Sequence, residues 1–291
     1  MKNQDLNKRF PSLRIDTEQA ISKVRYVKEG AGVELYLQGA HVTRFDAARG
    51  GSPLFISRES GFEVGKAIRG GIPICFPWFG PNKENPKLPS HGFARTSEWQ
   101  VESDGNELVL SLKSNEQTLA LWPHAFKANY RVGVDANHLR VALEVHNIGD
   151  TPFTFEAALH TYFRVSDARI VSVEGLVGKT YMDQLEAMAR KVQKGPIYFE
   201  GEVDRIYLDS PGPVTLSDES RSVRVSNLGG WRSTVVWNPW IEKARAMKDL
   251  ADDEWTQFVC IESGVIADDA VTVPPGDFYT LAIEIEAESS H

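Results

Sequence analysis

The chain has 291 residues, 42% hydrophobic and 25% charged, a composition that excludes a disordered protein and allows one sizeable core across 1–291. A formal net charge of -8 supplies no general field for nucleic acid or anionic lipid, so an anionic substrate would need a local basic cluster. No apolar run approaches the roughly 20 residues that span a bilayer, and the polar start Met1-Lys2-Asn3-Gln4-Asp5 lacks the apolar core of a signal peptide, so a soluble, cytoplasmic protein without membrane partners is expected.

Short segments of alternating apolar and polar residues recur along the chain, each closed by a turn signal. Glu29-Gly30-Ala31-Gly32 precedes Val33-Glu34-Leu35-Tyr36-Leu37, and Arg49-Gly50-Gly51 marks a later turn. The stretch 69–81, Arg-Gly-Gly-Ile-Pro-Ile-Cys-Phe-Pro-Trp-Phe-Gly-Pro, then breaks the alternation. Prolines at this density disfavour a central strand, and a structured aromatic loop is a common place for a ligand. Residues 82–90 read as an exposed loop, and His91-Gly92 as a tight turn. Alternation resumes over 107–112 and 139–145, with turns at Asp104-Gly105-Asn106 and Asp135-Ala136-Asn137. It recurs over 223–226 and 281–285, and the pattern of one short helix over 241–247 follows Pro239. Many strands with short connections predict an all-β fold, a large antiparallel β-sandwich with few short helices and no internal domain boundary.

Candidate chemistry rests on few residues. His160 lies in the apolar, strand-like run 156–163 and is expected to be largely buried; a lone histidine there is more often a satisfied core residue than a catalyst. Glu262 closes the apolar run 258–262 before Ser263-Gly264, which reads as a strand end at the mouth of a cavity. Desolvation there would raise its pKa from about 4.3 and make it a better general base; the commoner alternative is a strand-end carboxylate in solvent. His124, after Pro123, reads as a packed turn residue. Cys75 and Cys260, both in apolar runs, read as buried free thiols, although spacing alone does not forbid a disulfide. No His-x-x-x-His, Cys-x-x-Cys or His-Glu-x-x-His spacing occurs, and no nucleotide-binding glycine motif or hydrolase elbow, so neither a metal nor an organic cofactor is implied.

Seven blocks in order resemble the aldose 1-epimerase superfamily, and within it the hexose-6-phosphate mutarotase branch. They are 69–73 with Phe79-Gly80; His91-Gly92-Phe93-Ala94-Arg95 with Trp99; Ala158-Leu159-His160-Thr161-Tyr162-Phe163; Tyr181-Met182-Asp183; Asp204-Arg205-Ile206-Tyr207; Val235-Val236-Trp237-Asn238-Pro239-Trp240; and Val259-Cys260-Ile261-Glu262-Ser263-Gly264. The resemblance implies a galactose mutarotase-like β-supersandwich that interconverts the α and β anomers of a sugar without cofactor. It implies Glu262 as the base at the anomeric hydroxyl and His160 as the acid at the ring oxygen. It also implies Arg69 and Arg95 as phosphate ligands and His91 and Asp204 as sugar contacts. Ser90 stands where the branch often has Gln, which bears on sugar selectivity.

The expected ligand is thus a small sugar phosphate, most simply glucose 6-phosphate. His160 and Glu262 should face each other across one pocket with room for a pyranose between them, and Arg69 and Arg95 should meet at its rim. A non-catalytic sugar-binding or regulatory protein, a mutarotase for unphosphorylated aldoses, and a lyase or hydrolase domain are the competing readings. Trp78, Trp122, Trp237 and Trp240 could stack on a sugar in any of them. Retention of both an acid and a base favours catalysis, and the paired-carboxylate pattern of a hydrolase is not evident.

Overall fold

The computed structural model describes residues 7–16, 20–28, 30–47, 51–219 and 221–289. Met1 to Asp5, Glu29, Arg49 and Gly50, on which expectations above rest, lie outside them.

Two large sheets carry the fold, and their strands pair antiparallel throughout the described residues. One has eight strands, in spatial order Ser172–Glu174, Val214–Ser217, Arg221–Gly229, Phe278–Ser289, His138–Asn147, Phe126–Asp135, Leu108–Lys113 and Gln100–Asp104. The other has seven: Ala189–Val192, Thr180–Asp183, Val203–Tyr207, Ser233–Asn238, Phe258–Val265, Ala157–Arg164 and Ile74–Cys75. A four-stranded sheet lies between Leu13 and Asp46, and Phe153–Phe155 pairs with Val271–Val273. The strands expected over 33–37, 107–112, 139–145, 223–226 and 281–285 all form. The helix expected over 241–247 runs Trp240–Ala246. A second, Glu116–Leu121, was hidden in a polar stretch; Asn115 and Thr118 cap it reciprocally.

Period-two alternation explains the core. Along His138–Asn147 the residues Leu139, Val141, Leu143 and Val145 turn inward, while Arg140 and Glu144 face outward. Ala157, Leu159, Phe163, Val259 and Ile261 of the seven-stranded sheet enter the same core. Each fully buried large aliphatic or aromatic side chain contributes about 1.5–3 kcal/mol. The opposite face of that sheet is covered as well: Ala158, Tyr162, Trp237, Phe258 and Cys260 pack with Leu250 and Trp255 of the segment that follows the Trp240–Ala246 helix. Burial on both faces is why these strands read as continuous apolar runs rather than alternating ones. His160 and Glu262 belong by parity to this second face.

Two expectations are corrected here. Glu262 is not at a strand end, because Phe258–Val265 continues through it. Gly264 makes no turn; it allows close strand approach, since a Cβ there would lie 2.6 Å from the Ala157 carbonyl oxygen. The 69–81 stretch also contains a strand, Ile74–Cys75, which the prolines confine to the sheet edge beside Ala158–Leu159. Both cysteines are buried free thiols.

The His91-Gly92 turn takes positive φ at both residues, 65° and 72°. A Cβ on Gly92 would lie 2.0 Å from the Phe76 carbonyl oxygen. The Gly92→Ala substitution is therefore expected to destabilise the protein by at least about 2 kcal/mol, the left-handed penalty plus the clash, measured as a fall in urea midpoint. An unchanged midpoint would mean that the turn is not constrained as described.

Candidate active site

The sheet register assembles the site. On neighbouring antiparallel strands His160 pairs directly with Glu262, and Tyr162 with Cys260. The second rung continues to Trp237 and then Asp204. All these side chains share a face. With strands about 4.8 Å apart, Asp204 sits two strands, roughly 10 Å, from the strand of Glu262.

His160, Glu262, Trp237 and Asp204 of this face form the floor of a cavity of about 400 Å³, within the ~300–1,000 Å³ range of small-molecule sites. His160, Glu262, Arg69, Ser90, His91, Arg95 and Asp204 all line it. Phe79, Gly80, Pro81, Gln184, Trp237, Lys243 and Met247 complete the wall. Of the tryptophans named above only Trp237 lies there. Trp78 and Trp122 line a neighbouring groove with His124, and Trp240 packs on Trp255.

His160 and Glu262 do not flank the space for a ring. They stand side by side in the floor, Nε2 to Oε1 3.2 Å, with 7% and 1% of their surface exposed. A pyranose must therefore lie over the pair. Cross-strand pairing, unreadable before the register is known, is the reason. Tyr162 stacks on the His160 ring at 4.9 Å and Trp237 meets it edge-on at 5.8 Å, fixing its plane. Buried Nδ1 of His160 and Oε2 of Glu262 have no hydrogen-bond partner in another described residue. Buried polar atoms are almost always paired, so these two mark where a ligand would bond.

Burial pushes the His160 imidazole well below its ordinary pKa, and the Arg95 and Arg69 charges act the same way, as would any protonation of His91. Burial pushes the Glu262 carboxyl well up; Asp204 adds to this and Arg95 opposes it. The pair thus tends to keep one proton between two groups rather than two separated charges.

His91 is pushed down to about 3, first by burial and then by Arg95 and Arg69, and stays neutral. Its Nδ1 accepts the Gly80 N–H at 3.2 Å, so Nε2 carries the proton and is a donor. The His91 N–H donates back to the Gly80 carbonyl at 2.8 Å, closing the exposed 81–90 loop at its base. Trp78 ties that loop down through Nε1 to the Pro89 carbonyl at 3.0 Å.

The two arginines differ. Arg69 is committed: its guanidinium engages both Asp249 oxygens and donates to the Tyr162 hydroxyl at 2.8 Å. Burial works against its charge, but Tyr162 and Asp249 outweigh it and hold the group above the ordinary arginine range. Arg95 donates only to the Ser90 carbonyl, at 2.8 Å, and has no ion pair among the described residues. It projects from the turn Ala94–Thr96, which Trp99 anchors by bonding the Ala94 carbonyl. Arg95 is the cation with capacity to spare.

Sequence reasoning missed Lys243 and Gln184. Lys243, on the helix, binds Glu202 at 2.7 Å and Asp204 at 3.5 Å, while Gln184 donates to Asp204. It also passed over His41, which is fully buried and bonds the Gly70 carbonyl at 2.7 Å beneath the Arg69 turn. Burial pushes Asp204 up to about 6 against the pull of Lys243 and Gln184. Its raised folded-state pKa favours folding most below pH ~4, and that contribution is lost as pH rises through about 6. Asp204→Asn should therefore be more stable than the parent at pH 7.5, by at most about 2–3 kcal/mol, with the difference vanishing near pH 4. Urea unfolding at the two pH values checks this; a variant equally destabilised at both would contradict it.

The described residues contain no helix long and apolar enough to cross a membrane. The model of the family described as aldose 1-epimerase matches residues 23–286. A protein of Cenchrus ciliaris named "Putative glucose-6-phosphate 1-epimerase" is 36% identical over 272 residues, 88% of this chain and 82% of that protein. One of the same name from Escherichia coli K12 is 37% identical over 237 residues, 78% of this chain and 77% of its own. The crystal structure of a "putative mutarotase (YeaD)" from Salmonella typhimurium superposes with TM-score 0.86 at 31% identity, covering 96% of this chain and 95% of that one.

Proposed function

This chain belongs to the aldose 1-epimerase family, an isomerase family, and from that premise we propose that it interconverts the α and β anomers of a hexose 6-phosphate, glucose 6-phosphate first. The observation that carries the reading is the buried His160–Glu262 rung, both of whose residues line a sugar-sized cavity and keep Nδ1 and Oε2 without a partner in another described residue.

Anomer exchange needs a proton removed from the hydroxyl at C1 and one delivered to the ring oxygen. In the productive form Glu262 is the carboxylate and His160 the imidazolium. That form differs from the neutral pair only by transfer of one proton across their 3.2 Å contact. An anionic substrate favours the cationic imidazole. Glu262 takes the proton from the C1 hydroxyl as His160 gives one to the ring oxygen, and the C1–O5 bond breaks to leave the aldehyde. Rotation about C1–C2 presents the other carbonyl face. The hydroxyl at C5 then attacks, returning its proton to His160, while Glu262 reprotonates the oxygen at C1. Atoms and charge balance without oxidation or reduction.

The neutral His91 donates through Nε2 to a sugar oxygen. Asp204, held by Gln184 and Lys243, accepts from hydroxyls, and Trp237 and Phe79 offer apolar faces to ring C–H groups. Arg95 takes the phosphate with paired N–H donors, and Ser90, its carbonyl partner, sits beside that contact. The name shared by the Cenchrus and Escherichia relatives supports the same substrate class.

Measured side by side, kcat/KM for glucose 6-phosphate is expected to exceed that for free glucose by at least about 10-fold, the worth of one charge-assisted phosphate contact. Preference for free glucose would remove the phosphate from this reading and leave an epimerase for unphosphorylated sugars.

A further inference from the structure

The register that pairs His160 with Glu262 places a third donor beside them. Cys260 precedes Glu262 by two residues on the same strand and face, diagonal to His160. One donor atom from each of His160, Cys260 and Glu262 lies within 4.8 Å of the others, and all three residues are buried. No spacing motif announces this set, because the ligands come from two strands that are distant in sequence. Nitrogen, sulfur and oxygen donors suit a thiophilic divalent cation, and three protein donors leave a fourth position open. Tetrahedral Zn2+ with ordinary bond lengths holds its donors roughly 3.3–3.8 Å apart, so a contraction of about an ångström closes the set. Oε2 of Glu262, and Nδ1 of His160 outside its own residue, have no hydrogen-bond partner among the described residues, a second observation that points to an absent partner. Thiolate and carboxylate together balance a divalent charge, so the occupied set is neutral beside Arg95 and Arg69.

We propose that His160, Cys260 and Glu262 form a buried binding site for a thiophilic divalent cation, Zn2+ above all, on the face of the sheet that carries the active site. Occupancy takes Glu262 and His160 as ligands. If these two are the acid and base proposed above, a bound cation also arrests anomer exchange; binding itself does not rest on that reading.

The test uses the full chain and reads binding directly. Calorimetry with Zn2+ is expected to give one cation per chain, and Co2+ should produce the charge-transfer absorption of a cobalt–thiolate bond. Cys260→Ser, a near-isosteric change, should weaken Zn2+ binding by about 10–100-fold or more and abolish the absorption. Cys260→Ala serves equally if the serine variant folds poorly, and the Co2+ spectrum of the unmutated chain stands without either. Absence of binding, Co2+ binding without the thiolate band, or unchanged Zn2+ affinity in the cysteine variants would each overturn the site. Tight binding to a chain that catalyses no exchange would uphold the site and count only against the epimerase mechanism.

Discussion

Replacing Glu262 with Gln is expected to lower catalysed anomer exchange by about 10²–10⁴-fold, the usual contribution of one positioned acid–base group. The amide keeps the size of the carboxyl and can still bond His160, but it cannot accept the proton from the C1 hydroxyl. The fold should survive, because the substitution removes a group whose ionisation burial already opposes. His160→Ala should cause a similar loss, with a packing lesion added, since the imidazole stacks on Tyr162 and meets Trp237. His160→Gln separates these effects by restoring volume without an acid. Exchange followed by magnetisation transfer, beside a melting curve, reads both consequences. Near-parental exchange in a folded Glu262→Gln protein would remove the two-group mechanism.

Arg95→Ala should divide substrates rather than suppress all turnover. Among the described residues its guanidinium has a single carbonyl partner, so loss of the side chain strands no carboxylate there. Forfeiting charge-assisted bonds to a phosphate costs about 1.5–3 kcal/mol, or roughly 10–150-fold in kcat/KM for glucose 6-phosphate, with little change for glucose. Part of the loss should fall on kcat, because binding energy at the phosphate holds C1 over the reacting pair. Arg69→Ala should behave differently. It strands Asp249 and unpins the Tyr162 hydroxyl, so both substrates and the melting temperature should suffer together. Equal losses on both sugars from Arg95→Ala would make that residue structural.

Much of this molecule is legible in its sequence, and the boundary of legibility is physical. Period-two patterns locate four of the strands of the eight-stranded sheet, those over 108–113, 138–147, 221–229 and 278–289, because their residues alternate between the core and the outer face. The site sheet is buried on both faces, so its runs announce strands without saying which residue faces what. Hence Glu262 reads as a strand end, although Gly264 lies within the strand to accommodate the Ala157 carbonyl. Block resemblance brought Arg69, Ser90, His91, Arg95, His160, Asp204 and Glu262 into view, and all line one cavity. What linear sequence cannot carry is register between distant strands. The direct His160–Glu262 pairing and the diagonal Cys260 emerge only from it. Arg69 and Asp249, separated by 180 positions, show the same limit: their mutual neutralisation makes two similar arginines unlike.

The central claim is anomer exchange by ring opening over His160 and Glu262, and exchange spectroscopy on glucose 6-phosphate in D2O tests it most directly. With catalytic amounts of the protein, the α and β C1 signals should exchange faster than in a matched buffer blank. No deuterium should accumulate at C2, because only the C1 hydroxyl and the ring oxygen trade protons. Exchange no faster than the blank, or exchange accompanied by deuterium at C2, would contradict the account.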